Sequence, residues 1–188
     1  MRLLITGICG FAGNVLAREL PKHIEKLCIV GIDNLSRKGS EQNVGTLRNA
    51  GVELHIGDIL DRELLDALPA CDWILDCAAN PSVLAGVDGS SSSLGVVEQN
   101  LFGTVNLLEL CRRWNAGFTL LSTSRVYSIP PLVSLPLEPA ASRFELAPGA
   151  ELPAGISPEG VSESFSTAPP VSLYGSTKLC SEALALEY

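Results

Sequence analysis

The chain has 188 residues, 46% hydrophobic and 18% charged, with a formal net charge of -8. That length suits one domain with a real core, and the composition excludes a disordered chain. Thirteen scattered Lys and Arg against twenty-one Asp and Glu argue against a nucleic-acid partner, and no apolar run reaches the roughly 18 residues of a membrane span.

Taken in chain order, short apolar runs alternate with helical patterns. LLIT at 3–6 reads as a buried strand, and residues 14–22 as an amphipathic helix. Strands at 27–33, 52–58, 72–79 and 117–124 are predicted to alternate with helices at 40–50, 61–68, 96–114 and 173–188. This order indicates a Rossmann-type α/β fold, a doubly wound parallel sheet covered on both faces. GVDGSSSSLG at 86–95 reads as a loop. Residues 129–172 hold nine of the twelve prolines; so long an insertion is either a functional loop or a flexible surface excursion. The six cysteines show no C-x-x-C spacing, which favours buried, reduced thiols over metal or disulfide roles. With no cleavage site after the first apolar run, the expected compartment is the cytoplasm.

The first strand runs into TGICGFAG at 6–13. Between a strand and a helix, Gly7, Gly10 and Gly13 have a physical logic: a tight turn, a close approach to a pyrophosphate, and close helix–strand packing. The phosphates sit at the helix N-terminus. Asp33 ends the next strand, where an acid holds a ribose 2′-hydroxyl and repels a 2′-phosphate, so NAD is expected over NADP. Arg37 and Lys38 weaken that preference; Arg37 is either a cofactor contact or a solvated charge. Asp58, ending the third strand in GDI beside Ile59, is placed to meet the adenine.

Further on, YGSTK places Tyr174 and Lys178 four residues apart on one helix face. An ammonium beside a phenol favours the phenolate, which can take a proton from a substrate hydroxyl as hydride leaves the carbon. The strand ending LLSTS can present Thr123 to the same hydroxyl. His23 and His55 stand alone and read as packing or surface residues.

TGICGFAG resembles the T-G-x-x-G-F-x-G of the extended short-chain dehydrogenase/reductases, the nucleotide-sugar epimerases and dehydratases. CAAN at 77–80 is similar to their H-x-A-A segment, and NLFGTVNLLE at 100–109 to N-x-x-G-T-x-N-L-L-E. The resemblance implies a catalytic trio of Thr123, Tyr174 and Lys178. It implies cofactor contacts from Gly7, Gly10, Phe11 and Gly13, and from Asp33, Asn34, Ser36 and Arg37. Asp58, Ile59, Ala78, Ala79, Asn100 and Ser122 complete that set with Tyr174 and Lys178. Dehydratases of the family carry an Asp-Glu pair after the catalytic Thr; here Ser124 and Arg125 stand there, and an arginine supplies no proton. Arg125 either meets a substrate phosphate or forms a surface ion pair.

DNLSRKGSEQN at 33–43 and STSRVY at 122–127 resemble the CDP-paratose 2-epimerase branch, although DNLS is shared with UDP-hexose 4-epimerases. The implied activity is NAD-dependent epimerisation of a CDP- or UDP-hexose through a transient keto-sugar. A sugar-nucleotide dehydrogenase or reductase, or a non-catalytic NAD sensor, are the alternatives. The resemblance also implies a C-terminal substrate domain outside these 188 residues, so the chain alone is expected to bind NAD poorly and to be inactive. It implies a homodimer built through a four-helix bundle. Leu101, Leu108, Leu184 and Leu186 supply either that surface or the domain's own core.

Overall fold

Runs such as Leu3–Leu4–Ile5 and Cys28–Ile29–Val30 alternate their side chains between two sides of a strand. Both sides here are apolar, so the strands must be covered twice. The computed structural model, which describes residues 1–84 and 92–188, shows this arrangement. Five strands, β1 (Arg2–Thr6), β2 (Cys28–Asp33), β3 (Glu53–Ile56), β4 (Trp73–Asp76) and β5 (Gly117–Leu120), form a parallel sheet in the order β3-β2-β1-β4-β5. Leu3 pairs with Ile29 on one side and Trp73 on the other.

Leu3, Ile5, Ile29 and Leu75 face one core, shared with Ala17 of α1 (Phe11–Glu19) and Leu47 of α2 (Asn43–Asn49). Leu4, Val30, Ile32 and Ile74 face the other, with Leu65 of α3 (Arg62–Ala67) and Leu107 and Leu110 of α5 (Gly103–Trp114). Each fully buried side chain of this size contributes roughly 1.5–3 kcal/mol.

The chain reverses its order of addition between β1 and β4, a topological switch point. Strands β3, β4 and β5 end earlier than the sequence predicts, at Ile56, Asp76 and Leu120. The residues beyond them leave the sheet to line a cleft along its carboxyl edge. The helix predicted over 96–114 also differs. It begins as α4 (Ser93–Val97), widens into a π turn at Glu98–Phe102, and only then continues as α5. Of the loop predicted at 86–95, residues 86–91 lie outside the described residues, while Ser92 caps α4 through Gly95 N at 2.8 Å.

The insertion is not featureless. It holds a short helix α6 (Ile129–Val133) and two small hairpins, β6 (Leu137–Pro139) with β7 (Phe144–Leu146) and β8 (Ile156–Ser157) with β9 (Gly160–Val161). Its ends are tied together: Ser128 N donates to Ser166 O at 2.8 Å and Ile129 N to Pro170 O at 3.0 Å. The Tyr127 and Phe165 rings meet edge to face at 5.5 Å. The chain then enters α7 (Leu173–Glu187), capped by Ser172 and packed on α4, the π turn and α5.

Leu108 is buried within the domain and Leu186 is open, with Leu101 and Leu184 half-buried. Of the thiols expected to be mostly buried, Cys9, Cys71 and Cys111 are buried and Cys77 is half-buried, while Cys28 and Cys180 are exposed. No helix of the described residues is long and apolar enough to cross a membrane.

Candidate active site

The turn after β1 is held by glycine geometry. Gly7 adopts φ +58°, and a Cβ there would lie 2.9 Å from Ala78 Cα. A Cβ on Gly13 would sit 2.5 Å from Gly7 O and 2.7 Å from Ile8 Cα. Only glycine lets α1 approach β1, and β1 approach the end of β4, this closely. Gly10 starts α1 with no side-chain cap and no acid in the first turn. The first N–H groups of the helix are thus free of side-chain competition at the cleft, a donor set that fits a pyrophosphate.

The cleft measures about 600 Å³. Gly7, Gly10, Phe11 and Gly13 form one wall, and Asp33, Asn34, Ser36 and Arg37 another. Asp58, Ile59, Ala78, Ala79, Ser122, Tyr174 and Lys178 line the remainder. Asp33 organises its side of the cleft: Oδ2 accepts from Cys9 N at 2.8 Å and Oδ1 from Leu35 N at 2.8 Å. The second bond holds Leu35 at φ +55°, a conformation rare for a branched residue. Asn34 Nδ2 donates to Asp58 Oδ2 at 2.8 Å, joining the loops after β2 and β3.

Two expected residues stand outside the cleft wall. Asn100, in the π turn, is 1% exposed. Its amide instead clamps the loop after β4: Oδ1 accepts Asn80 N at 2.7 Å and Nδ2 donates to Asn80 O at 3.1 Å. Nδ2 also reaches Thr177 Oγ1 of α7 at 3.3 Å. Asn100 thus positions the wall rather than forming it. Thr123 Oγ1 accepts Arg125 N at 3.2 Å, capping the 3-10 turn Ser124–Val126. That acceptor role leaves the hydroxyl hydrogen available. Arg125 is exposed and makes no salt bridge among the described residues.

Sequence reasoning named Cys77 and Asn80 only as part of CAAN and missed Pro81 and Gln99; all four are in the wall. Gln99 reaches it from the π turn, a feature with no proline or glycine to signal it.

Tyr174 and Lys178 lie on the buried side of α7, 9% and 1% exposed, and both line the cleft. Burial pushes the Lys178 ammonium below its ordinary pKa, opposed by Asp76, Cys77 and Glu182. Cys77 itself is pushed up to about 12, by burial first and then by Asp76. Glu182, one turn beyond Lys178, accepts a hydrogen bond from Ser122 Oγ. The arrangement can hold an anionic cofactor at α1, its ribose at Asp33, and a phenol with an ammonium at the far end.

Comparison with known proteins agrees with this geometry. The model of the NAD dependent epimerase/dehydratase family matches residues 3–188. The chain is 35% identical over 136 residues to CDP-paratose 2-epimerase of Salmonella typhi, covering 68% of this chain and 38% of that protein. It is 33% identical over 129 residues to dTDP-D-glucose 4,6-dehydratase of Dictyostelium discoideum, covering 67% and 30%. UDP-glucuronic acid 4-epimerase from Bacillus cereus, solved in complex with NAD, superposes with a TM-score of 0.69 at 28% identity, over 100% of this chain and 52% of that one. The chain therefore spans about a third of these curated relatives and half of the solved structure. The matched model and the built cleft together place the chain in the NAD-dependent epimerase/dehydratase family.

Proposed function

We propose that the protein is an NAD-dependent nucleotide-sugar epimerase acting through a transient keto-sugar, most like CDP-paratose 2-epimerase. The observation that carries this reading is the pair Tyr174 and Lys178, buried four residues apart on α7 and both lining the cleft that begins at the glycine turn. Tyr174 takes the proton of a sugar hydroxyl and later returns it. Lys178 favours the phenolate by its charge and meets the cofactor's ribose. Thr123 donates its hydroxyl hydrogen to the same sugar oxygen. Gly7, Gly10, Phe11, Gly13 and Asp33 would hold NAD⁺, which would supply a reversible hydride acceptor.

Epimerisation is favoured over 4,6-dehydration by the turn after Thr123. Eliminating water needs an acid and a base beyond the tyrosine, and Ser124 and Arg125 supply neither there. The partner is a CDP- or UDP-hexose. The exposed Leu94, Phe102 and Leu186 on α4, the π turn and α7 favour a homodimer in which these helices pair across a four-helix bundle.

The test is to express the chain with any coding sequence that follows Tyr188 in its gene, denature it, and identify released nucleotide by chromatography. NAD near one per chain, followed by interconversion of a CDP- or UDP-hexose, is the expected result. NADP, or no retained nucleotide, would sink the recycled-cofactor reading.

A further inference from the structure

Thr123 and Tyr174 sit on separate elements, the segment leaving β5 and the first turn of α7. Their spacing is therefore set by packing, where α7 meets the end of β5 and the 3-10 turn Ser124–Val126. That turn moves as one piece with Thr123. Thr123 Oγ1 accepts from Arg125 N at 3.2 Å, and Thr123 O from Val126 N at 3.3 Å.

The first point of contact is Gly175. A Cβ there would overlap Arg125 O and lie 2.8 Å from Arg125 C. Carbon atoms rest about 3.5–4.0 Å apart, so any side chain would push helix and turn apart by about 1 Å. Both sides are backbone. The start of α7 is held by Ser172, whose Oγ accepts from Gly175 N at 2.9 Å and whose carbonyl accepts from Ser176 N at 2.8 Å. Glycine is a poor helix former, and the Arg125 carbonyl supplies a physical reason for one beside Tyr174.

The second point is Glu182, whose carboxylate accepts from Ser122 Oγ, on the residue before Thr123. A charged acceptor makes this one of the stronger kinds of hydrogen bond. Gly175, Lys178 and Glu182 follow one another at steps of three and four along one face of α7. The two contacts thus hold the exit of β5 on either side of Lys178. We propose that Gly175 and Glu182 are positioning residues, which dock the Thr123 segment on α7 at two points and so set the distance from Thr123 to Tyr174. What that distance does for turnover rests on the epimerase reading; the docking itself does not.

The first readout is structural. Crystal structures of the protein used for nucleotide release and of its Gly175→Ala variant are expected to show Thr123 and Tyr174 Cα about 1 Å further apart in the variant. An unchanged spacing would overturn the proposal whatever the substrate is. The second readout is kinetic. Misplacement by 1 Å can cost about 100-fold, and Gly175→Ala is expected to lose that much in kcat while KM and released NAD per chain stay within about twofold. A variant that loses stability or NAD but keeps its kcat would have only a packing role there, and the proposal would fail. At the other end, Glu182→Ala is expected to lose about tenfold in kcat, the worth of one hydrogen bond. Glu182→Gln should recover most of it, because an amide oxygen still accepts from Ser122. Equal losses in the two would assign Glu182 to its charge beside Lys178 and overturn the tie. This pair also decides the case should Gly175→Ala not fold. A protein that retains no NAD would sink the epimerase reading and leave the spacing measurement standing.

Discussion

In the proposed mechanism Tyr174 acts through one oxygen. Its ring is packed among buried neighbours on α7, so Tyr174→Phe removes the hydroxyl and keeps the packing. The grip on the cofactor's phosphates lies elsewhere, at Gly10 and the first turn of α1. Turnover of Tyr174→Phe is therefore expected to fall by at least about 100-fold, the usual share of a general base, while released NAD per chain stays at the wild-type level. Turnover within tenfold of wild type would remove Tyr174 from the mechanism, and a sensor would show no change in its output. That these residues line one cleft was legible in the sequence because spacing sets them: four positions on a helix for Tyr174 and Lys178, three-residue steps for the glycines. Asp76 was not legible. At the end of an apolar strand it reads like Asp33 and Asp58, and only Thr6 and Thr104, which donate to it from 70 residues before and 28 after, distinguish a buried charge from a cleft-lining one.

At the scale of elements, the sheet and its helices could be read because alternation and helical periodicity are local signals. Their ends could not. Where β3, β4 and β5 stop is decided by loops that turn toward a shared cleft, which is a tertiary fact. The π turn at Glu98–Phe102 is stabilised by partners far off in sequence, Asn80 and Thr177. In the insertion the first hairpin turns through Ala140–Arg143 with no Gly, Asn or Asp, whereas the second carries a turn signature, Ser157-Pro158-Glu159-Gly160, between strands of two residues that are too short to read. The glycines offer a contrast within one chain. Gly13 has backbone atoms where its Cβ would go, and these cannot move without shifting β1 from α1. Gly45, inside α2, has nothing within 4 Å. Gly13→Ala is expected to cost about 1–3 kcal/mol through overpacking and to weaken NAD binding. Gly45→Ala is expected to stabilise by roughly 0.5–1 kcal/mol by restricting the unfolded chain. Urea midpoints for both variants decide it; equal shifts would mean that the turn has slack that the close contacts deny.

Across the whole molecule, alkaline pH acts on the core through its thiols. Burial pushes Cys9, Cys71 and Cys111 up to about 11 and Cys77 up to about 12, from an ordinary value of 9.0. In the unfolded chain these thiols lose their protons first. Above pH 9 the native state therefore binds more protons than the unfolded state, and stability falls as pH rises. The thiol contribution is complete below about pH 9 and is lost through about pH 11–12. Lys178 works the other way: its lowered affinity means that the unfolded chain holds the extra proton, so deprotonation of the native lysine restores stability as pH rises toward 10.5. One lysine opposes four thiols, each with a limiting slope of about 1.4 kcal/mol per pH unit, so the net trend above pH 9 is downward. Unfolding by urea from pH 7 to 10.5 is expected to show a plateau and then a steep loss. Cys71→Ala with Cys111→Ala should start lower at pH 7, because two buried side chains are cut back, yet fall less steeply above pH 9. Cys28→Ala, at an exposed position, serves as the control and keeps the wild-type slope. Superimposable slopes for the double variant and the wild type would place the alkaline transition outside the buried thiols.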